Sequence, residues 1–303
     1  MAEFPSGGNL VATVRDAFMS QQDATWDTLT RTLDPSVRTL ETAPVEYTQS
    51  IARPRVCSDG DLIEKAACSF THSYGDELPP AASERNPDLA GKPFSASALS
   101  VIVHPRLPRI PTTHMNVRFF HVEHGDGHWY FGGGMDLTPH FLYEDDALTW
   151  HEHARDACHD EAQYRKFKQQ CDTYFYLPHR QEARGIGGLF FDDFNEPDFS
   201  RCFELTLNVC EHFRVAYTTI FNRRKDLPFT LDDEMWMLHR RSRYAEFNLI
   251  HDRGTRYGLQ SGRRIESVLA SMPPRANWIY GRDAETVEER QLQACLQKPR
   301  QWL

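Results

Sequence analysis

No stretch of this chain approaches the roughly 20 consecutive apolar residues that a helix needs to cross a bilayer, so no membrane span is predicted. The opening residues MAEFPSGGNL hold no basic stretch and no apolar run, and Arg15 is the first basic residue. A secretory or organellar address is therefore not expected, and the cytoplasm is. Cysteine is sparse and unpatterned. The seven (Cys57, Cys68, Cys158, Cys171, Cys202, Cys210 and Cys295) are odd in number and include no CxxC pair, which argues against a disulfide framework and a Cys-based zinc site. They read as buried thiols in a reducing compartment. Positive charge is also short. Lys and Arg number 34 against 43 Asp and Glu, a net −9, whereas a nucleic-acid partner wants a basic surface. Nucleotide signatures are missing as well: Gly185-Ile186-Gly187-Gly188 does not match GxGxxG, and neither GxxxxGKS/T nor GxSxG occurs.

What is present is a globular composition, 40% hydrophobic and 25% charged, with no repeat and no convincing linker, read as one domain over residues 1–303. The stretch HMNVRFFHVEHGDGHWYFGGGMDLTP, from His114 to Pro139, organises it. Asn116, Arg118 and Phe120 alternate with Val117, Phe119 and His121, which is strand periodicity. The polar turn His124-Gly125-Asp126-Gly127 leads into Trp129-Tyr130-Phe131, a hairpin signal. Three consecutive glycines, Gly132 to Gly134, weaken a strand, so something needs the backbone close or bent there.

Along the chain, residues 9–33 have helical spacing, and 34–56 look like a connection with a short strand. Ser58-Asp59-Gly60 reads as a turn or helix cap before Leu62, Ile63, Ala66, Ala67 and Phe70. Residues 75–93 form a loop by composition, and Ala98 to Val103 a strand. PRLPRIPT delivers the chain in extended form to His114. Helices are predicted from Glu144 to Cys158 and on to Tyr174, from Pro197 to Phe221, and from Thr230 to Ser242 with Thr230 as cap. Gly185 to Phe194 reads as a strand, as does Tyr244 to Ile250, followed by a turn at His251 to Thr255. Ile265 to Ser271 and Glu285 to Gln297 close the chain as helices. The class is α+β: an antiparallel sheet with helices packed on both its faces.

Chemistry concentrates in a few places. His114 shares a strand face with Asn116 and Arg118. Arg118, Arg253, Arg263 and Arg264 are carboxylate forks by type, although any single Arg more often belongs to a solvated face. Arg263 and Arg264 gain weight because they follow Ser261-Gly262 and precede a helix. Asp136 is either a base or a cap. Asp192 and Asp193 read as a strand end rather than a catalytic pair. His151 and His153 do not form HExxH, and a zinc reading of them is weak. These residues describe an Arg-lined, aromatic-walled site for a polycarboxylate and do not name it.

Longer strings do more. PTTHMNVRFF, WYFGGGMDLTP, YFYLPHR, RGIGGLFFDD, YAEFNLIHDRGTRYGL and SGRRIESVLASMPP, in this order from about Asp59 to Leu303, resemble the oxygen-dependent coproporphyrinogen III oxidase family. Residues 1–58 carry no specific match. The resemblance implies oxidative decarboxylation of two propionates of coproporphyrinogen III to vinyls, giving protoporphyrinogen IX for haem biosynthesis, with O2 as co-substrate and CO2 and H2O2 released. It implies that the sheet is large and flat, and it implies no organic cofactor. It also implies a homodimer joined through the segment from Tyr244 to Pro274. Carried over by motif, His114 matches a proton donor, and Ser100, Asn116, Val117, Arg118, Gly262, Arg263 and Arg264 match substrate contacts, Arg264 more firmly than Arg263. Arg253 joins them as an anchor, and Asp136 or Asp252 would manage the pyrrole N–H proton. His104, His114, His151 and His179 match histidines that hold a divalent metal in some relatives, a metal that the family does not require. The rival readings are a metal-dependent oxygenase built on those four histidines and a tetrapyrrole carrier without catalysis.

Overall fold

The computed structural model describes residues 10–41, 45–47, 50–78, 87–123, 128–260 and 264–303. The chain opens with α1 (Leu10–Asp27), which runs on as a wider π-helical turn over Thr28–Leu33. Four short strands follow: β1 (Arg38–Glu41), β2 (Val45–Tyr47), β3 (Ser50–Arg53) and β4 (Arg55–Ser58). Then come three long ones, β5 (Ile63–Gly75), β6 (Phe94–Pro105) and β7 (Thr112–Val122), and β8 (His128–Thr138). Helices α2 (Glu144–Ala157) and α3 (Glu161–Tyr174) lead through the small hairpin β9 (Tyr176–Leu177) and β10 (Glu182–Ala183) to β11 (Gly187–Phe194). The rest is helical: α4 (Phe199–Arg224), α5 (Leu231–Glu246), a π-helical turn over Phe247–His251, α6 (Arg253–Gln260), α7 (Ile265–Val268) and α8 (Val287–Gln297).

The main sheet is antiparallel in the order β1-β4-β5-β6-β7-β8-β11, with β3 also pairing β5 and β2 pairing β3. The α+β class predicted from the sequence is the class observed. Side chains alternate across this sheet, and its two faces differ. On one, Val101, Val117, Phe119, Phe131, Met135 and Leu189 are fully buried against α1, α2 and α4 through Phe18, Trp150, Phe203 and Phe213. One apolar core thus runs from Val14 to Leu296. The other face carries the cleft described below, roofed by the α5–α7 region. Helix α3 lies along the outer strand β11, with Phe167 against Phe191 at 5.1 Å and Tyr174 stacked on Phe190 at 4.1 Å. Among the described residues no helix is long and apolar enough to cross a membrane.

Several local expectations are corrected. Leu62 to Phe70, before which Ser58-Asp59-Gly60 reads as either a turn or a helix cap, belongs largely to β5, so the turn reading holds. Over Ala66 to Cys68 this central strand is buried on both faces, so small apolar residues run together there and hide the alternation that Ser69 to Ser73 keep. The connection over 34–56 holds four strands rather than one. PRLPRIPT bends and turns rather than extending. Tyr244 to Ile250 is not a strand: it completes α5 and forms the π-helical turn, because Trp236, Met237, Arg240, Arg241 and Tyr244 bury one helical face. The turn expected at His251 to Thr255 is largely the start of α6. Thr230 caps α5 as expected, in a capping box with Asp233. The turn His124–Gly127 lies outside the described residues, while the hairpin that it joins is paired from Thr112 opposite Thr138 to Val122 opposite His128.

Candidate active site

Register builds the floor of the cleft. His114, Asn116 and Arg118 on β7 lie opposite Asp136, Gly134 and Gly132 on β8, and opposite Ile102, Ser100 and Ala98 on β6. Directly paired residues share a face, so these side chains and Ser69 of β5 face one way. Small residues here leave a broad, shallow platform where a packed face would carry Leu or Phe. The cleft above it holds about 330 Å³ and is lined by floor residues such as Ala67, Ala96 and Ser100, by the rings of Phe120, Tyr130 and Phe190, and by Tyr257, Val268 and Ala270 of the roof. The triple glycine has a physical reason. A Cβ on Gly132 would stand 2.7 Å from the Arg118 guanidinium, and one on Gly134 would stand 2.1 Å from the Leu189 carbonyl oxygen of β11.

At one end of the floor, His114 Nδ1 lies 2.8 Å from Asp136 Oδ1. Asp136, 1% exposed, also accepts two hydrogen bonds from Arg184 at 2.9 and 2.8 Å. Burial would raise the Asp136 carboxyl, but Arg184 and His114 outweigh it and hold the carboxyl below its ordinary range. An anionic carboxylate only accepts, so His114 donates from Nδ1 and turns Nε2 to the cleft. Arg184 donates in turn to Asn248 Oδ1 at 2.7 Å, its guanidinium 4.2, 4.5 and 4.7 Å from the rings of Phe175, Tyr244 and Phe247.

At the other end, Arg118 donates to Asp192 Oδ1 at 2.6 Å and to Asn116 Oδ1 at 3.2 Å. Arg253, at the start of α6, meets the other oxygen of Asp192 at 3.0 Å. Asp252 caps α6 by accepting from the Thr255 N–H at 2.7 Å and its hydroxyl at 2.9 Å, and it accepts from the Tyr174 hydroxyl at 2.9 Å.

Ser100, His114, Asn116, Arg118, Asp252 and Arg253 are thus gathered on one cleft. Asp136 stands behind His114 rather than in the cleft. The side chain of Val117 points into the core, fully buried, so only its backbone is left for the cleft side. Gly262 and Arg263 lie outside the described residues; Arg264 is exposed, paired with Glu266 at 3.1 Å, and does not line the cleft. The four histidines read as a metal set do not assemble. His104 bonds the Ser271 carbonyl at 2.9 Å, and His151 is held by the Tyr164 hydroxyl at 2.9 Å and the Ile186 carbonyl at 3.0 Å. His179 bonds Glu246 at 2.8 Å, and His114 is engaged by Asp136. His104 and His114 share a sheet face on neighbouring strands, but each is engaged by its own partner, and His151 lies in α2 and His179 in the β9–β10 turn. No group of three or more His, Cys, Asp or Glu suited to a metal occurs among the described residues. The residues do not fit a metal bound by that set, and no step below runs through one. Sequence reasoning missed Arg184 and the inward role of Asp192; both lie in RGIGGLFFDD, whose charged ends were the available signal.

Two comparisons with known proteins bear on what the chain is similar to. A family model described as coproporphyrinogen III oxidase matches residues 13–302, which takes in the N-terminal helix. The chain is 43% identical over 264 residues, 86% of each chain, to a protein of Francisella tularensis subsp. mediasiatica (strain FSC147) named oxygen-dependent coproporphyrinogen-III oxidase.

Proposed function

The chain belongs to the coproporphyrinogen III oxidase family, and from that membership we propose that it is the oxygen-dependent enzyme of haem biosynthesis acting on coproporphyrinogen III. For each of two side chains, a propionate, O2 and one proton give a vinyl group, CO2 and H2O2, and the side chain and macrocycle supply the two electrons. The observation that carries this reading is the floor itself. Only small side chains lie between the His114 end and the Arg118 end, which suits a broad macrocycle with charged arms.

In this reading Arg118 and Arg253 anchor propionates through paired N–H···O bonds, and Ser100 and Asn116 add weaker polar contacts. Phe120, Tyr130 and Phe190 accept the apolar body and exclude water. His114 supplies the proton that the reaction consumes, from Nε2, while Asp136 and Arg184 fix the ring. Asp252 lines the cleft and is the acid that would manage the pyrrole N–H proton, with Asp136 acting behind His114. The enzyme forms a homodimer through residues 244–274, a segment that exposes Leu249, Ile250, Leu259 and Ile265 by 45–56%.

Aerobic turnover by chelator-stripped, metal-analysed protein tests the function, with protoporphyrin fluorescence read after oxidation of the product. Turnover without added metal is expected. Activity that returns only with iron, copper or manganese would favour the metal oxygenase; tight porphyrin binding without turnover would favour the carrier.

A further inference from the structure

Asp192 occupies a place that a substrate carboxylate would want. Its two oxygens face two guanidiniums from opposite sides of the cleft: Arg118 on the floor at 2.6 Å and Arg253 on the roof at 3.0 Å. The backbone is shaped to put it there. In β11 the register slips between Phe191 and Phe194, so that Asp192 and Asp193 together span the interval opposite Gly132, and Asp193 takes a φ of 50°. That left-handed conformation is costly for a residue other than glycine, so the bulge is held by its surroundings. Gly132 beneath it leaves room for the Arg118 guanidinium. Bulge, bare floor and arginine form one arrangement. It sets a single carboxylate, 14% exposed, between two cations.

We propose that Asp192 is a positioning residue that acts as a placeholder anion: it holds Arg118 and Arg253 for the incoming propionate and reclaims them after each decarboxylation. This rests on the function proposed above. With Asp192 between them the two guanidiniums do not repel each other or swing into solvent, and they still present N–H donors to a substrate carboxylate. A propionate that binds replaces one carboxylate contact by another, so the exchange is close to balanced. Once the propionate has become a neutral vinyl, the guanidinium that held it has lost its partner. Asp192 then takes it back, and the macrocycle is released to present its second propionate. A site without such an anion would bind the substrate more tightly and turn it over more slowly, because the remaining carboxylates would stay held.

The test is Asp192→Asn, with Asp192→Glu as the conservative companion. Binding is read with coproporphyrin III, the oxidised tetracarboxylate that cannot react, and turnover is read separately with coproporphyrinogen III. Asp192→Asn should bind coproporphyrin III about fivefold or more tightly, since removing a competing charge-assisted partner frees both guanidiniums. Its KM should fall and its kcat should fall, with the mono-vinyl tricarboxylate accumulating ahead of the divinyl product. Asp192→Glu should restore most of kcat. Equal or weaker coproporphyrin III binding by Asp192→Asn would overturn the proposal, as would a kcat at the wild-type level. If Asp192→Asn fails to fold, Asp192→Glu decides: a longer arm that keeps the charge should hold porphyrin affinity within about twofold, and tenfold weaker binding would overturn the placeholder role. Wild-type turnover that is absent would defeat the parent function instead, while tighter binding by Asp192→Asn would still support the exchange.

Discussion

The two faces of β5 to β8 and β11 are built from the same strands, yet they follow different rules. On the helix-covered face most residues are apolar, and Phe119, Phe131 and Met135 are fully buried. On the cleft face the central residues are mostly Gly, Ala, Ser, Asn and a few charged groups, the rings of Phe120, Tyr130 and Phe190 stand at the margins, and space is left open. The packed face holds the sheet rigid, so that the open face can keep its carboxylates and guanidiniums at fixed distances without packing against anything. Stability and function are therefore separated by one residue of register. One pair crosses this division. Asp136 and Arg184 belong to the cleft face in direction but to the core in burial.

That pair gives the largest expected effect. Asp136→Asn should cost about 3–5 kcal/mol, because the Arg184 guanidinium would stay buried without its anion; urea unfolding measures it. The folded carboxyl titrates below its ordinary range, so its stabilisation is fully present above that range and is lost as pH falls through the lowered value. The variant should lack that part of the acid limb. Turnover should fall more than porphyrin binding, since the His114 ring loses its anionic acceptor, and a loss of binding alone would assign Asp136 a purely structural part. Phe131→Ala should cost a similar ~3–5 kcal/mol through the cavity left among Phe119, Phe199 and Phe203. It should leave kcat/KM of the folded fraction within about twofold. A large kinetic loss there would show that the faces are not separable.

Arg118→Ala is the reverse experiment. Stability should fall less than in Asp136→Asn, because Asp192 keeps Arg253 as a partner, and kcat/KM should fall at least ~tenfold. Near wild-type kinetics would remove Arg118 from substrate handling.

The same division explains what could be read from the sequence. The β7–β8 hairpin has one packed and one open face, so its alternation is plain, and it placed His114, Asn116 and Arg118 together. Strand β5 is buried on both faces over Ala66 to Cys68, where its period of two vanishes, and the turn-or-cap signal before it left its type open. The segment after Arg243 alternates by coincidence, and only the buried face of α5 reveals that the helix continues. Arg184 meets Asp136 across 48 residues, a contact that no local pattern announces. Asp192 turns inward through a bulge, and the two adjacent acids do not specify which of them the backbone will aim at the cleft. The resemblance to a family carried the function past the point where spacing stopped, but it also brought Arg264, His104, His151 and His179, none of which lines the cleft.

Gly132→Ala gives the smallest and sharpest separation of the two faces. The added Cβ would stand 2.7 Å from the Arg118 guanidinium, the mobile end of a long side chain, and not against backbone. Arg118 can swing away at little cost, and Ala in a strand loses less chain entropy than Gly, so stability should stay within ~1 kcal/mol of wild type. The displaced guanidinium would meet neither Asp192 nor a propionate in its present geometry. KM should therefore rise about two- to fivefold with kcat largely kept, since the anchor is weakened while the His114 end is untouched. Unfolding and steady-state kinetics on the same preparation decide it. An unchanged KM would mean that Arg118 has a second productive seat and that the bare floor at this position serves only the strand.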